Sequence, residues 1–417
     1  MGRPHVLVIP YPAQGHVIPL MELAQCLAKD GIKVTFVNTE FNHKRIVKAL
    51  SQTGNINESI QLASIPDGLE PWEDRNDLGK LTVAMLKVMP EKLEALIEKI
   101  NETESDKIVC VITDYGMGWA LELANKLGIK RAAFVPAAVA LLALAVNAQK
   151  LVDEGIINSD GESQFVLHSP TMNTLEAPDD SAVARYAHNE HYELDWILCN
   201  SSYELERGAL TLVPNCLPIG PLLASNRLGK SAGHFWPEDS ASLAWLDQQP
   251  ANSTIYVAFG SFTVLIKPSS RNWRLGLNLP TGHSCGFVKN RGKLVGWAPQ
   301  QKVLSHPSVA CFLSHCGWNS TIEGVSNGVP FLCWPYFADQ FLNQSYISEY
   351  WKVGLELDKD ESGIIRQAEI RKKVELLLTD KSYKTRALDL KLKAMSSATG
   401  GCSQKNFNNF VDWIKEN

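Results

Sequence analysis

From Trp297 to Gln340 the chain reads WAPQQKVLSHPSVACFLSHCGWNSTIEGVSNGVPFLCWPYFADQ, and several of its residue types could do chemistry on a phosphorylated ligand. Gly317 permits close backbone approach, and Trp318, Asn319, Ser320 and Thr321 place amide and hydroxyl groups where a helix start would offer its own N–H groups to an anion. Glu323 follows one helical turn later, where a carboxylate can accept hydrogen bonds from ribose hydroxyls. Trp297 offers a flat apolar face on which a base could stack. Cys311, His315 and Cys316 suggest a different chemistry, metal ligation, but no second ligand pair stands at the spacing of a zinc site, and no metal is expected.

The elements that must position these residues can be read from hydrophobic period. Val309 to Ser314 is a short apolar run, His315 to Gly317 a turn, Asn319 to Ser326 a helical pattern, and Val329 to Cys333 a second apolar run. A polar loop then ends in Asp339 and Gln340. This is one βαβ unit, in which ligands bind beyond the carboxyl ends of the strands. By residue chemistry alone it is a nucleotide-diphosphate site. The plain alternatives stay beside it: an isolated Trp is usually core, and a single helical Glu usually faces solvent.

Taken whole, the stretch resembles the PSPG box, the signature of the plant UDP-glycosyltransferases, from its opening WAPQ through HCGWNS and Glu323 to its closing Asp-Gln, at full length and without a gap. The resemblance implies that Trp297 stacks on uracil while Ala298 and Gln300 hold the base and the ribose edge. It implies that His315, with the Trp318, Asn319 and Ser320 turn, binds the diphosphate, and that Glu323 takes the ribose. Asp339 and Gln340 would take the sugar hydroxyls. In this family Trp318 and a closing Gln go with a glucose donor and a closing His with galactose, so the implied sugar is glucose.

The start of the chain supplies a second set of reactive groups. His5 to Ile9 is an apolar run, Ile18 to Lys29 has helical period, and Val34 to Val37 is a further strand, with Pro10 to His16 as the loop between the first two. A histidine at the mouth of a sheet, just before the positive end of a helix, suits a neutral general base; a capping or buried histidine is the alternative. Val109 to Thr113 is another buried run with Asp114 at its carboxyl end, ahead of a helical stretch from Trp119 to Leu127. A carboxylate on the second imidazole nitrogen would fix the tautomer; a cap on the following helix is the alternative. The family's N-terminus is similar to Pro10–Leu20 here, PYPAQGHVIPL. The resemblance implies His16 as catalytic base and Asp114 as its partner.

The bounds set by composition agree with a small-molecule protein. With 417 residues, 45% hydrophobic and 20% charged, the chain can bury two cores. Its formal net charge of -5 and the lack of a long Lys/Arg run argue against a nucleic-acid surface. The nine cysteines show no framework spacing, which suits a reducing compartment. The N-terminal apolar run is short and broken by prolines, unlike a secretory signal, and no stretch of roughly 18 apolar residues could span a bilayer. A cytoplasmic monomer is expected, with a UDP-sugar and a small-molecule acceptor as its partners and no cofactor.

The resemblance covers nearly the whole chain and implies an α/β protein of GT-B architecture, two Rossmann-like doubly wound domains facing across a cleft. Residues 1–221 would bind the acceptor, 222–238 would link, 239–398 would bind the UDP-sugar, and 399–417 would form a helix packed back on the first domain through Phe407, Phe410, Val411 and Trp413. Thr254 to Ser261 reads as the opening strand of the second domain, and by resemblance Ser261 contacts the donor. Beyond the box, Ile347 to Leu357, Ile365 to Leu378 and Tyr383 to Ala398 read as helices. The polar stretch 161–193 is shorter than in relatives, which implies an abbreviated acceptor pocket.

One segment departs from the family pattern. Ser270 to Phe287 shows no sustained period, while a shifted reading of permitted codons restores a family-like helix and an Asn-Arg-Pro-Phe-Leu-Trp-Val strand. An out-of-frame stretch near 266–289 is therefore expected, with a strand lost from the second domain. The implied activity is inverting transfer of glucose from UDP-glucose to a hydroxyl of a small lipophilic plant metabolite. A catalytically impaired nucleotide-sugar-binding relic is the second reading. An NAD-type oxidoreductase is disfavoured because no Gly-x-Gly-x-x-Gly follows the first strand.

Overall fold

The computed structural model describes residues 2–53, 58–155, 194–222, 233–261 and 292–416, and these fall into two compact units, Met1–Pro237 with Ser396–Asn417, and Glu238–Met395. The expected out-of-frame stretch 266–289, the polar stretch 161–193 and most of the expected linker lie outside the described residues.

The first unit alternates strands and helices: β1 (His5–Ile9), α1 (Gln14–Lys29), β2 (Lys33–Thr39), α2 (Glu40–Thr53), β3 (Ile60–Ile65), α3 (Leu78–Thr103), β4 (Ile108–Asp114), α4 (Gly118–Lys126), β5 (Lys130–Val135), α5 (Val139–Asp153), β6 (Trp196–Cys199), α6 (Tyr203–Leu212) and β7 (Cys216–Pro218). Among the described residues its seven strands run in the order β3-β2-β1-β4-β5-β6-β7, all paired in parallel. Both faces are covered, which is why β1 is buried at every position and apolar from Val6 to Ile9 rather than alternating. Val6, Val8 and Phe36 pack towards α1, whereas Leu7, Ile9 and Val37 pack towards α3 and α4.

The order reverses at β1, whose neighbours are β2 and β4. That is the switch point at which a doubly wound sheet opens a crevice beyond its strand ends. The register pairs Ile9 with Thr113, so the segment leaving β1 and the last residue of β4, Asp114, come out side by side.

A late helix completes this unit. Within α13 (Cys402–Lys415), Phe407, Phe410, Val411 and Ile414 recur at helical spacing and are buried in the same cluster as Val6 and Phe36. Lys130 Nζ donates to the Trp413 and Glu416 carbonyls, both at 2.6 Å, which satisfies acceptors that a helix C-terminus leaves open. Each large side chain buried there contributes on the order of 1.5–3 kcal/mol.

The second unit contains α7 (Ala241–Leu246), β8 (Thr254–Ala258), α8 (Gln300–Leu304), β9 (Val309–Ser314), α9 (Trp318–Asn327), β10 (Phe331–Cys333), α10 (Gln340–Ser345), a π-helical turn (Tyr346–Tyr350), β11 (Gly354–Glu356), α11 (Gln367–Thr379) and α12 (Lys381–Ala398). Among the described residues its strands run β11-β10-β9-β8, all parallel. Cys311 and Leu313 pack with Leu332 and Trp334 into its core.

Two expectations need correction. His16 lies in the first turn of α1 rather than in the loop before it, because the helix starts at Gln14. For Asp114 only the alternative reading falls, since α4 has Met117 at its N-cap and the Asp114 carboxylate meets His16 and the Gly116 N–H. Ile347 to Leu357 is not one helix. It divides into the π turn and β11, because at Gly354 the chain joins the sheet so closely that a β-carbon would lie 2.7 Å from the Phe331 carbonyl oxygen.

Candidate active site

In the first unit, His16 Nδ1 and Asp114 Oδ2 lie 2.6 Å apart. Asp114 Oδ1 accepts the Gly116 N–H at 3.0 Å, so both carboxylate oxygens are directed. The side chains differ in exposure: 38% for His16 and 3% for Asp114. A buried carboxylate against Nδ1 holds the proton there and turns the Nε2 lone pair outwards, the arrangement of a general base. Tyr11 packs its ring 5.3 Å from the His16 ring, and its own hydroxyl lies 3.1 Å from Thr82 Oγ1 on α3.

In the second unit, β9 ends at Ser314 and the backbone turns sharply. Cys316 takes φ +66, a left-handed conformation that costs a side-chain-bearing residue free energy, and hydrogen bonds hold it there. Its N–H donates to Ser314 Oγ at 3.0 Å, and its carbonyl accepts from Asn343 Nδ2 at 2.8 Å. Gly317 then caps α9, and the first helical turn directs the N–H groups of Trp318, Asn319 and Ser320 out of the N-terminus, as an anion site requires.

His315 sits in this turn between two glycines. A β-carbon on Gly260 would lie 2.6 Å from His315 Nε2, and one on Gly317 would lie 2.5 Å from it. Burial pushes the imidazole down to about 4, so at neutral pH it is uncharged and can offer a single N–H donor.

Gln300, Ser320 and Glu323 are brought together. Gln300 Nε2 donates to Ser320 Oγ at 2.8 Å and to Glu323 Oε2 at 2.7 Å, while Gln301 Nε2 donates to Glu323 Oε1 at 3.0 Å. The carboxylate is therefore held in plane by two amides. Trp297 is half-buried and its carbonyl accepts the Asp239 N–H at 2.7 Å; Ala298 beside it is also half-buried.

The end of the stretch forms another cluster. Gln340 Oε1 accepts from the Tyr336 N–H at 2.7 Å and the Phe337 N–H at 3.2 Å, which leaves its NH2 group as the end that can address a ligand. Asn343 Nδ2 bridges Asp339 Oδ2, at 2.9 Å, to the Cys316 carbonyl. The Trp318 side chain is 3% exposed and leans on Trp351, so its indole belongs to the core, and its backbone is what faces the turn. Ser261 is exposed and directly follows Gly260.

Sequence reasoning passed over Asn343, Gln301, Tyr256 and Tyr11. Asn343 had one signal, a polar residue three positions after Gln340 and so on the same face of a helix. The others carry none, because their roles arise from contacts between distant strands and helices. Among the described residues no group of three or more His, Cys, Asp or Glu could hold a metal ion, and no helix is long and apolar enough to cross a membrane.

Residues 271–394 match the family model described as "UDP-glucoronosyl and UDP-glucosyl transferase". UDP-glycosyltransferase 83A1 of Arabidopsis thaliana is 45% identical, covering 100% of this chain and 97% of that protein. A 7-deoxyloganetin glucosyltransferase of Catharanthus roseus is 32% identical over 99% of this chain and 97% of its own. Among solved structures, Os79 from O. sativa in complex with UDP superposes with a TM-score of 0.83 at 24% identity, covering 98% of this chain and 100% of that one.

Proposed function

The chain belongs to the plant UDP-glycosyltransferases, GT-B enzymes that transfer a sugar from a UDP-sugar to a small-molecule acceptor, and on that premise we propose that it transfers glucose, with inversion, to a hydroxyl of a small lipophilic plant metabolite. The observation that carries the mechanism is the 2.6 Å hydrogen bond between His16 and Asp114. His16 Nε2 takes the acceptor proton, the oxygen attacks the anomeric carbon, and the bond to UDP breaks on the opposite face. Asp114 stabilises the imidazolium that forms.

The charge that develops on the departing diphosphate is met by the N-terminus of α9 and by His315 as a neutral donor. Glu323 takes the ribose, Trp297 the uracil with Ala298 and Gln300 beside it, and Ser261 a further part of the donor. The Gln340 amide and the Asp339 carboxylate take the sugar hydroxyls. No metal or other cofactor is invoked, because the α9 start supplies the positive pole. The reading of an impaired relic gains no support from the relatives, whose names are those of transferases.

The test is a UDP-glucose consumption assay against a panel of phenols and alcohols, with the product's anomeric configuration read by proton NMR. A β-glucoside supports the proposal. An α-glucoside overturns inversion, and UDP binding without turnover on any acceptor favours the relic.

A further inference from the structure

We propose that Tyr256 is a positioning residue for nucleotide recognition, acting through Gln300 to set the Glu323 carboxylate; the proposal rests on the reading of Glu323 as the ribose ligand. Tyr256 lies on β8, and its ring stacks on Phe312, its register partner on β9, with centroids 5.1 Å apart and planes at 26°. The phenol hydroxyl donates to Gln300 Oε1 at 3.1 Å.

A glutamine amide is nearly symmetric in shape but opposite in polarity at its two ends, so its partners decide which end faces where. With the carbonyl oxygen tied to Tyr256, the NH2 end is turned to Ser320 Oγ and Glu323 Oε2. The reverse orientation would set a carbonyl dipole against a carboxylate. Tyr256 is suited to remain the donor, since burial pushes its phenol up and the Glu323 charge adds to that effect.

Gln300 and Gln301 each give one hydrogen bond to a different oxygen of Glu323. A carboxylate oxygen can accept more than one hydrogen bond, and two adjacent acceptors fixed in one plane match the two hydroxyls of a ribose cis-diol. Deleting the Tyr256 hydroxyl releases the amide and with it the plane of the carboxylate. The phenyl ring and its stack on Phe312 stay, so the core is not emptied.

The experiment compares UDP with 2′-deoxy-UDP by calorimetric titration on wild type and Tyr256→Phe. The expected result is that wild type prefers UDP by about tenfold. In Tyr256→Phe, UDP weakens by roughly three- to tenfold while 2′-deoxy-UDP changes by less than about twofold. KM for UDP-glucose should rise by the same factor as UDP weakens, with kcat within about twofold. In a Glu323→Ala background the Tyr256 substitution should have no further effect, because the two act in series. Equal weakening of both nucleotides, an unchanged preference, or additive effects with Glu323→Ala would overturn the proposal. If wild type itself shows no preference for UDP, the ribose reading of Glu323 fails first. A melting curve on each variant separates these outcomes from loss of the fold, and should Tyr256→Phe not fold, Gln300→Leu, which removes the relay from the other side, is read by the same nucleotide preference.

Discussion

His16 and Asp114 stand 98 positions apart in sequence, yet their side chains meet at 2.6 Å because β1 and β4 are neighbours at the switch point of the first sheet. The pair is assembled by the sheet, and Asp114 is fixed further by the Gly116 N–H.

Removing the base should stop chemistry and spare binding. His16→Ala is expected to lower kcat by about 10²–10⁴-fold with the Kd for UDP within about twofold. Asp114→Asn should cost about 10–100-fold, since it disturbs the tautomer and leaves the imidazole in place. Parallel loss of turnover and UDP affinity in His16→Ala would point to a structural histidine.

The His315 ring leaves no room for a side chain on either flanking glycine, and Gly260 adds φ +76, a backbone conformation that L-residues avoid. Gly260→Ala and Gly317→Ala should each weaken UDP by more than about tenfold, whereas Gly208→Ala, with nothing near its β-carbon, should leave it unchanged. Calorimetric titration of the three variants decides this. Full UDP affinity in both site variants would show that the ring can move aside.

Gln340 offers a sharper substitution than alanine. Gln340→Glu keeps the oxygen that accepts the Tyr336 and Phe337 N–H groups and replaces the outward NH2 by an acceptor. KM for UDP-glucose should rise about tenfold with UDP affinity retained. Gln340→His should lower the use of UDP-glucose relative to UDP-galactose. Competition between the two donors in one reaction measures it, and an unchanged ratio removes Gln340 from sugar selection.

His315 should also leave a mark on acid stability. Its folded value of about 4 lies below the ordinary 6.5, so between those two values the unfolded chain binds a proton that the folded chain refuses. Its contribution is complete above pH 6.5 and is lost as pH falls towards 4. Melting temperature followed from about pH 7.5 to about pH 4.5 should therefore fall less steeply in His315→Gln than in wild type. Equal slopes would mean that the imidazole is not held neutral by the fold.

The strands at the heart of each unit were legible because they are buried on both sides. Val6 to Ile9 and Val309 to Leu313 are uninterrupted apolar runs bounded by turn residues, and no other element gives that pattern at that length. Placing His16 near the sheet mouth followed from the first of those runs, and Asp114 at a strand end from the similar run Val109 to Thr113. The start of α1 was misread because Gly15 and Pro19 look like breakers, yet both lie inside the helix. The π turn and β11 were illegible for a deeper reason: what ends the helical pattern is the approach of Gly354 to Phe331, a contact between residues far apart in sequence. The Tyr256, Gln300 and Glu323 chain is of the same kind, three side chains from three elements whose meeting no local spacing announces.

The second unit is inserted into the first, since residues 1–237 and 396–417 cluster together around 238–395. That topology has a consequence for biosynthesis. The core beside β1 and β2 needs Phe407, Phe410, Val411 and Ile414, which leave the ribosome after everything else in that core. The first unit to be synthesised is therefore the last to be finished, and throughout elongation it waits with an apolar seam open to water or to a chaperone.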